Sequence, residues 1–84
     1  MKFCYITFRS VTPAQKGERI LRRTGVNCDL QRTPRWMEEQ GCGYSLRLNF
    51  ADAIRGSAIL RDNGIAFRKV YRQGEDGRFE ELQL

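Results

Sequence analysis

The chain contains no histidine. That absence removes the side chain most often used as a general base near neutral pH, and with it a common nitrogen ligand for zinc. A structural zinc site asks for about four sulfur or nitrogen ligands, and Cys4, Cys28 and Cys42 are the only cysteines. No metal site is expected. No Ser, Cys or Lys stands in a recognisable nucleophile motif either, so independent enzymatic turnover is not expected and no bound cofactor is implied.

The odd cysteine count, with no short pair spacing, is unlike the disulfide framework of a small secreted domain and leaves at least one thiol free. Long apolar runs are missing too. No stretch approaches the roughly 20 apolar residues that cross a bilayer, and no basic segment with an apolar run and cleavage site opens the chain. The expectation is a cytoplasmic protein that makes no use of a membrane. Prolines are few (two) and glycines moderate (eight), while 40% of the residues are apolar, a composition that folds. At 84 residues there is room for one modest core. A single domain is expected over residues 1–73, with 74–84 as a charged tail or a short extra strand.

What is plentiful is positive charge: fifteen Lys and Arg against ten Asp and Glu, for a net charge of +5. Such a balance favours acidic partners, and a count alone does not choose among nucleic acid, an acidic protein face and anionic small molecules.

Apolar periodicity gives the elements. Cys4, Ile6 and Phe8 alternate with Phe3, Tyr5 and Thr7, the period of a strand. Thr12 followed by Pro13 reads as a helix start, and Ala14, Gly17, Leu21 and Thr24 recur on one helical face before Gly25. Val26, Cys28 and Leu30 alternate again, which makes Cys28 a core residue more than a reactive one. Arg32 to Gly43 reads as a long loop in which Trp36 packs locally and Glu38 and Glu39 are solvated charge. Tyr44, Leu46 and Leu48 alternate with Ser45 and Arg47 as a third strand. A second helix spans Phe50 to Asn63, with Asn49 or Asp52 as cap and with Ala51, Ile54, Ala58 and Ile59 at core-face spacing; Gly64 stops it. A fourth strand follows at Ile65–Tyr71. This order predicts an α+β, ferredoxin-like βαββαβ sandwich, a four-stranded antiparallel sheet with two helices on one face.

Cys42 is the residue with a chemical role to offer. It lies between Gly41 and Gly43, where missing side chains leave the sulfur accessible, and the nearby cations Arg35 and Arg47 would favour the thiolate that does the chemistry. A carrier of sulfur or selenium needs little more than one such thiol, which accepts a persulfide and passes it on by exchange. A second reading is a binding module, taking RNA on an open sheet face bearing Phe3 and Tyr5 or a partner protein at a sheet edge. The third strand lacks the basic-glycine-aromatic signature of RNA readers, which counts against nucleic acid. A third reading is a small-molecule sensor that forms a homodimer through its sheet.

The run Tyr5-Ile6-Thr7-Phe8-Arg9-Ser10, Ala14 with Glu18, Thr33-Pro34-Arg35, and Cys42-Gly43 before the third strand together resemble the selenium/sulfur carrier protein-like family of short bacterial domains, over about Phe3 to Tyr71. The resemblance implies that Cys42 carries the chalcogen, that Thr33, Pro34 and Arg35 shape the loop before it, and that Gly43 keeps access open. It also implies a cysteine desulfurase or a selenium-metabolism protein as partner. The loop centre Trp36-Met37-Glu38-Glu39 and the charged tail depart from the family pattern, and Cys4 and Cys28 match no functional position.

Overall fold

The computed structural model describes residues 2–33 and 43–83. Its elements run β1 (Phe3–Phe8), α1 (Val11–Arg23), β2 (Cys28–Arg32), β3 (Tyr44–Asn49), a single 3-10 turn (Phe50–Asp52), α2 (Ala53–Asp62), β4 (Val70–Gln73) and β5 (Phe79–Leu82). The strands form one sheet in the order β2-β3-β1-β4-β5 with every neighbour antiparallel. β1, the most apolar strand, therefore lies in the middle. The register aligns Cys28, Leu48, Cys4 and Arg72 in one row and Leu30, Leu46, Ile6 and Val70 in the next. Because side chains alternate across a strand, these rows share a face. Cys4, Ile6, Phe8, Leu46, Leu48 and Val70 are buried on it.

Both helices cover that face. A Cβ added to Gly17 of α1 would stand 3.0 Å from Leu60 and 3.3 Å from Leu46, and one added to Gly56 of α2 would stand 3.0 Å from Leu48 and 3.7 Å from Leu21. The helices approach this closely only because a side chain is missing at each crossing. Gly25 and Gly64 end the two helices at φ 87° and 70°, the left-handed conformation that sequence position predicts for them.

Expectations for the sheet and for both helices need correction. The sheet has five strands, not four: residues after Gly74 turn back, with Gly74 N–H donating to the Arg78 carbonyl at 2.7 Å, and β5 pairs along β4. The extra strand covers an edge that β4 would otherwise leave bare. Helix one starts earlier, with Ser10 at the N-cap position and Pro13 inside the first turn, where its missing N–H costs nothing. Thr24 is not on the buried face; it is the exposed C-cap residue, and its hydroxyl donates to the carbonyls of Ile20 and Leu21. The core face of α2 is Ala53, Gly56, Ser57 and Leu60, with Ile59 partly buried against the core, whereas Ala51 and Ala58 are exposed and Ile54 is 72% exposed. Among the described residues no helix is long and apolar enough to cross a membrane.

Candidate functional site

The β2–β3 connection carries the residues singled out for chemistry, and its root is well defined. The Thr33 N–H donates to the Gly43 carbonyl at 3.0 Å, extending the β2–β3 ladder by one step beyond the Arg32–Tyr44 pair. Gly43 and Thr33 are both buried. The chain thus leaves and re-enters the sheet at two backbone positions held by a direct hydrogen bond. Pro34, Arg35, Trp36, Glu38, Glu39 and Cys42 lie outside the described residues.

The root sits at the end of the sheet where β1 delivers Phe8, opposite Tyr44, and where Arg9 leads into α1. On the face away from the helices, Thr7, Ser45 and Thr33 are 2%, 0% and 9% exposed. The Thr7 hydroxyl is bound on both sides, accepting from Lys69 N–H at 3.0 Å and donating to the Lys69 carbonyl at 3.2 Å. The hydroxyls of Ser45 and Thr33 are buried with no hydrogen-bond partner among the described residues.

Arg47 is held at a distance from this root. It lies four residues beyond Gly43, about 13 Å along an extended strand. Its guanidinium pairs with Asp29 at 3.0 Å and lies 4.7 Å over the Phe3 ring. Arg32 is nearer: it immediately precedes Thr33, and its guanidinium lies 5.8 Å from the centre of the Tyr44 ring. The signal in the sequence that places Arg32 at the root is its position directly before the Thr33-Pro34-Arg35 run.

The two described cysteines are structural. Cys4 is 0% and Cys28 4% exposed, both on the helix-covered face, as expected for Cys28. Burial pushes the Cys4 thiol up to about 11, against a smaller opposing pull from Arg72. Burial also raises the Cys28 thiol, with Glu18 adding to it and Arg22 working against it. Neither is a thiolate near neutral pH. Among the described residues no group of His, Cys, Asp and Glu is arranged to hold a metal.

Comparison with protein families finds a match to the model described as "Putative Se/S carrier protein-like" over residues 3–72. The chain belongs to this family. No curated protein and no solved structure matches it. The Se/S carrier-like match begins with β1 and ends within β4, so β5 lies beyond it.

The raised Cys4 value has a consequence for stability. Its thiol ionises near 8.5 in an unfolded chain and near 11 in the folded one, so between those values the folded state holds a proton that the unfolded state has lost. The contribution is fully present below about pH 8.5 and disappears as pH rises toward 11. Urea unfolding at pH 8 and pH 10.5 is expected to give a loss on the order of 2 kcal/mol at the higher pH, and Cys4→Ala is expected to lose less. An equal loss in the variant would assign the alkaline slope to other groups.

Proposed function

We propose that this member of the Se/S carrier-like family is a sulfur or selenium carrier in which Cys42 is the acceptor. In the transfer step the Cys42 thiolate attacks the terminal sulfur of a donor persulfide. A bond forms between Cys42 Sγ and that sulfur, the donor's S–S bond breaks, and the donor leaves as a thiolate that takes up a proton. No outside oxidant or reductant is needed, and a selenium atom would pass by the same displacement. The donor is of the cysteine desulfurase type or a selenium-metabolism protein, and the carrier needs no cofactor and no turnover of its own.

The observation that carries this reading is the burial of the two described cysteines. Cys4 and Cys28 belong to the core with thiols raised above their ordinary range, which leaves Cys42 for the function named by the family. The hydrogen-bonded root at Thr33 and Gly43 gives the segment fixed ends. Pro34 has a fixed φ directly after Thr33, and on this reading the cations next to Cys42 in sequence, Arg35 and Arg47, supply the field that favours a thiolate. The strand order β2-β3-β1-β4 with both helices on one face supports a ferredoxin-like reading of the first four strands, with β5 appended at the β4 edge.

The test is the intact mass of the reduced protein after incubation with a cysteine desulfurase and cysteine. Wild type is expected to gain one or more sulfur masses and Cys42→Ser none. A glutathione persulfide arm is expected to give the same contrast without any protein donor. An adduct of equal size on the Ser variant, or no adduct from either donor, would remove the carrier reading.

A further inference from the structure

We propose that the outer face of α1 is a docking surface for an acidic protein face. The net charge of +5 is unevenly placed: residues 9–23 carry Arg9, Lys16, Arg19, Arg22 and Arg23 against the single acid Glu18. Arg22 is spent locally, donating to the Cys28 carbonyl at 2.8 Å and lying 3.5 Å from Glu18.

The others are not spent. Among the described residues, Lys2, Arg22, Arg47, Lys69, Arg72 and Arg78 are ion-paired, and the cations outside this stretch that are not ion-paired are held by a carbonyl, a ring or another neighbour. Arg9, Lys16, Arg19 and Arg23 are exposed and have no such partner among the described residues. Lys16, Arg19 and Arg23 recur at three and four residues, so they stack on one side of the helix. That side lies opposite Ala14, Gly17 and Leu21, which face the core. The result is a straight cationic stripe about 10 Å long, with Arg9 beyond the start of the helix.

The chemistry of the stripe selects the partner. It offers three guanidinium or ammonium groups in a line, which match carboxylates spaced at i, i+3 and i+7 on a facing helix. Nothing on it stacks or reads a base: the aromatic residues Phe3 and Tyr5 are on the far side of the sheet from α1. Phosphate contacts without base contacts would give only weak, sequence-independent binding. Unpaired surface cations of this kind speed and orient an encounter more than they strengthen it, which suits a partner that must be released. The inference does not depend on what Cys42 carries.

The probe is a synthetic helical peptide with glutamates at i, i+3 and i+7, titrated at low salt into the full chain with backbone amide NMR as readout. The shifts are expected to centre on α1. Affinity is expected to fall at least tenfold in Lys16→Gln/Arg19→Gln/Arg23→Gln and to be kept in the charge-preserving Lys16→Arg/Arg19→Lys/Arg23→Lys, since all three positions are exposed and the fold does not use them. A short single-stranded oligonucleotide and a short duplex serve as comparators and are expected to bind less tightly. Absence of peptide binding, binding unchanged in the glutamine variant, or tighter binding of an oligonucleotide through the same residues would overturn the proposal.

Discussion

Gly17→Val is expected to unfold a large part of the population under conditions where wild type is folded, at a cost of roughly 2 kcal/mol or more. Already the first added carbon stands 3.0 Å from Leu60 Cδ2, 3.3 Å from Leu46 Cδ1 and 3.4 Å from Phe8 Cζ. Leu60, Leu46 and Phe8 are each 0% exposed, so none can swing into solvent to make way. The two γ-methyls of valine must enter the same space. Against this stands the gain from replacing a helical glycine, about 0.5–1 kcal/mol for alanine and less for a β-branched residue. The alanine variant, with one carbon and the full gain, is therefore expected to lie within about 1 kcal/mol of wild type, and the contrast between the two is the diagnostic. Urea midpoints for wild type, Gly17→Ala and Gly17→Val measure it. A valine variant as stable as the alanine one would mean that α1 is free to move away from the sheet.

The same close approach explains which parts of the fold were legible. β1 could be read directly, because Cys4, Ile6 and Phe8 alternate with Phe3, Tyr5 and Thr7 and the buried set is also the apolar set. Both helix ends could be read from Gly25 and Gly64. The face of α2 could not, since a helix that packs close to its sheet buries small residues. Apolar spacing pointed to Ala51, Ile54, Ala58 and Ile59, of which only Ile59 packs, in part, against the core; the contact surface is otherwise Ala53, Gly56, Ser57 and Leu60, and Ile54 is left in solvent. β4 was expected from Ile65, yet pairing in the sheet starts at Val70. The chain is nonetheless already tied to β1 before that point, Arg68 N–H donating to the Thr7 carbonyl at 2.7 Å.

Of the candidate site, the sorting of Cys28 into the core was legible from alternation alone. The bond from Thr33 to Gly43 was not, because it depends on the register of β2 against β3, which no local pattern fixes. Nor was the engagement of Arg47. Its pairing with Asp29 and its place over Phe3 follow from the registers of β3 against β2 and β1, which are just as invisible to local pattern. The charge count, likewise, gave the sign of the surface and hid that its unpaired part is gathered on α1.

Ending the chain at Gln73 is expected to keep the fold and weaken it by about 2–4 kcal/mol. The loss comes chiefly from two side chains. Phe79 packs its ring 5.6 Å from that of Tyr5, a contact worth about 0.5–1.5 kcal/mol beyond its area, and Leu82 packs against the core cluster, worth roughly 1–2 kcal/mol. The ion pairs Lys2–Glu75, Lys69–Glu81 and Arg72–Glu80 go as well, but each has at least one well-exposed partner and such pairs add little. The central residues Cys4, Ile6, Phe8, Leu46 and Leu48 are covered by α1 and α2 and paired among β1, β2, β3 and β4, so their packing does not pass through β5. The shortened chain also bares the edge of β4, whose free N–H and C=O groups can pair with another copy. Its unfolding transition is therefore expected at lower urea, still cooperative, with association that grows with protein concentration in sedimentation. A shortened chain that loses its dispersed NMR spectrum altogether would place β5 inside the cooperative core, and the family boundary at residue 72 would then not be a boundary of folding.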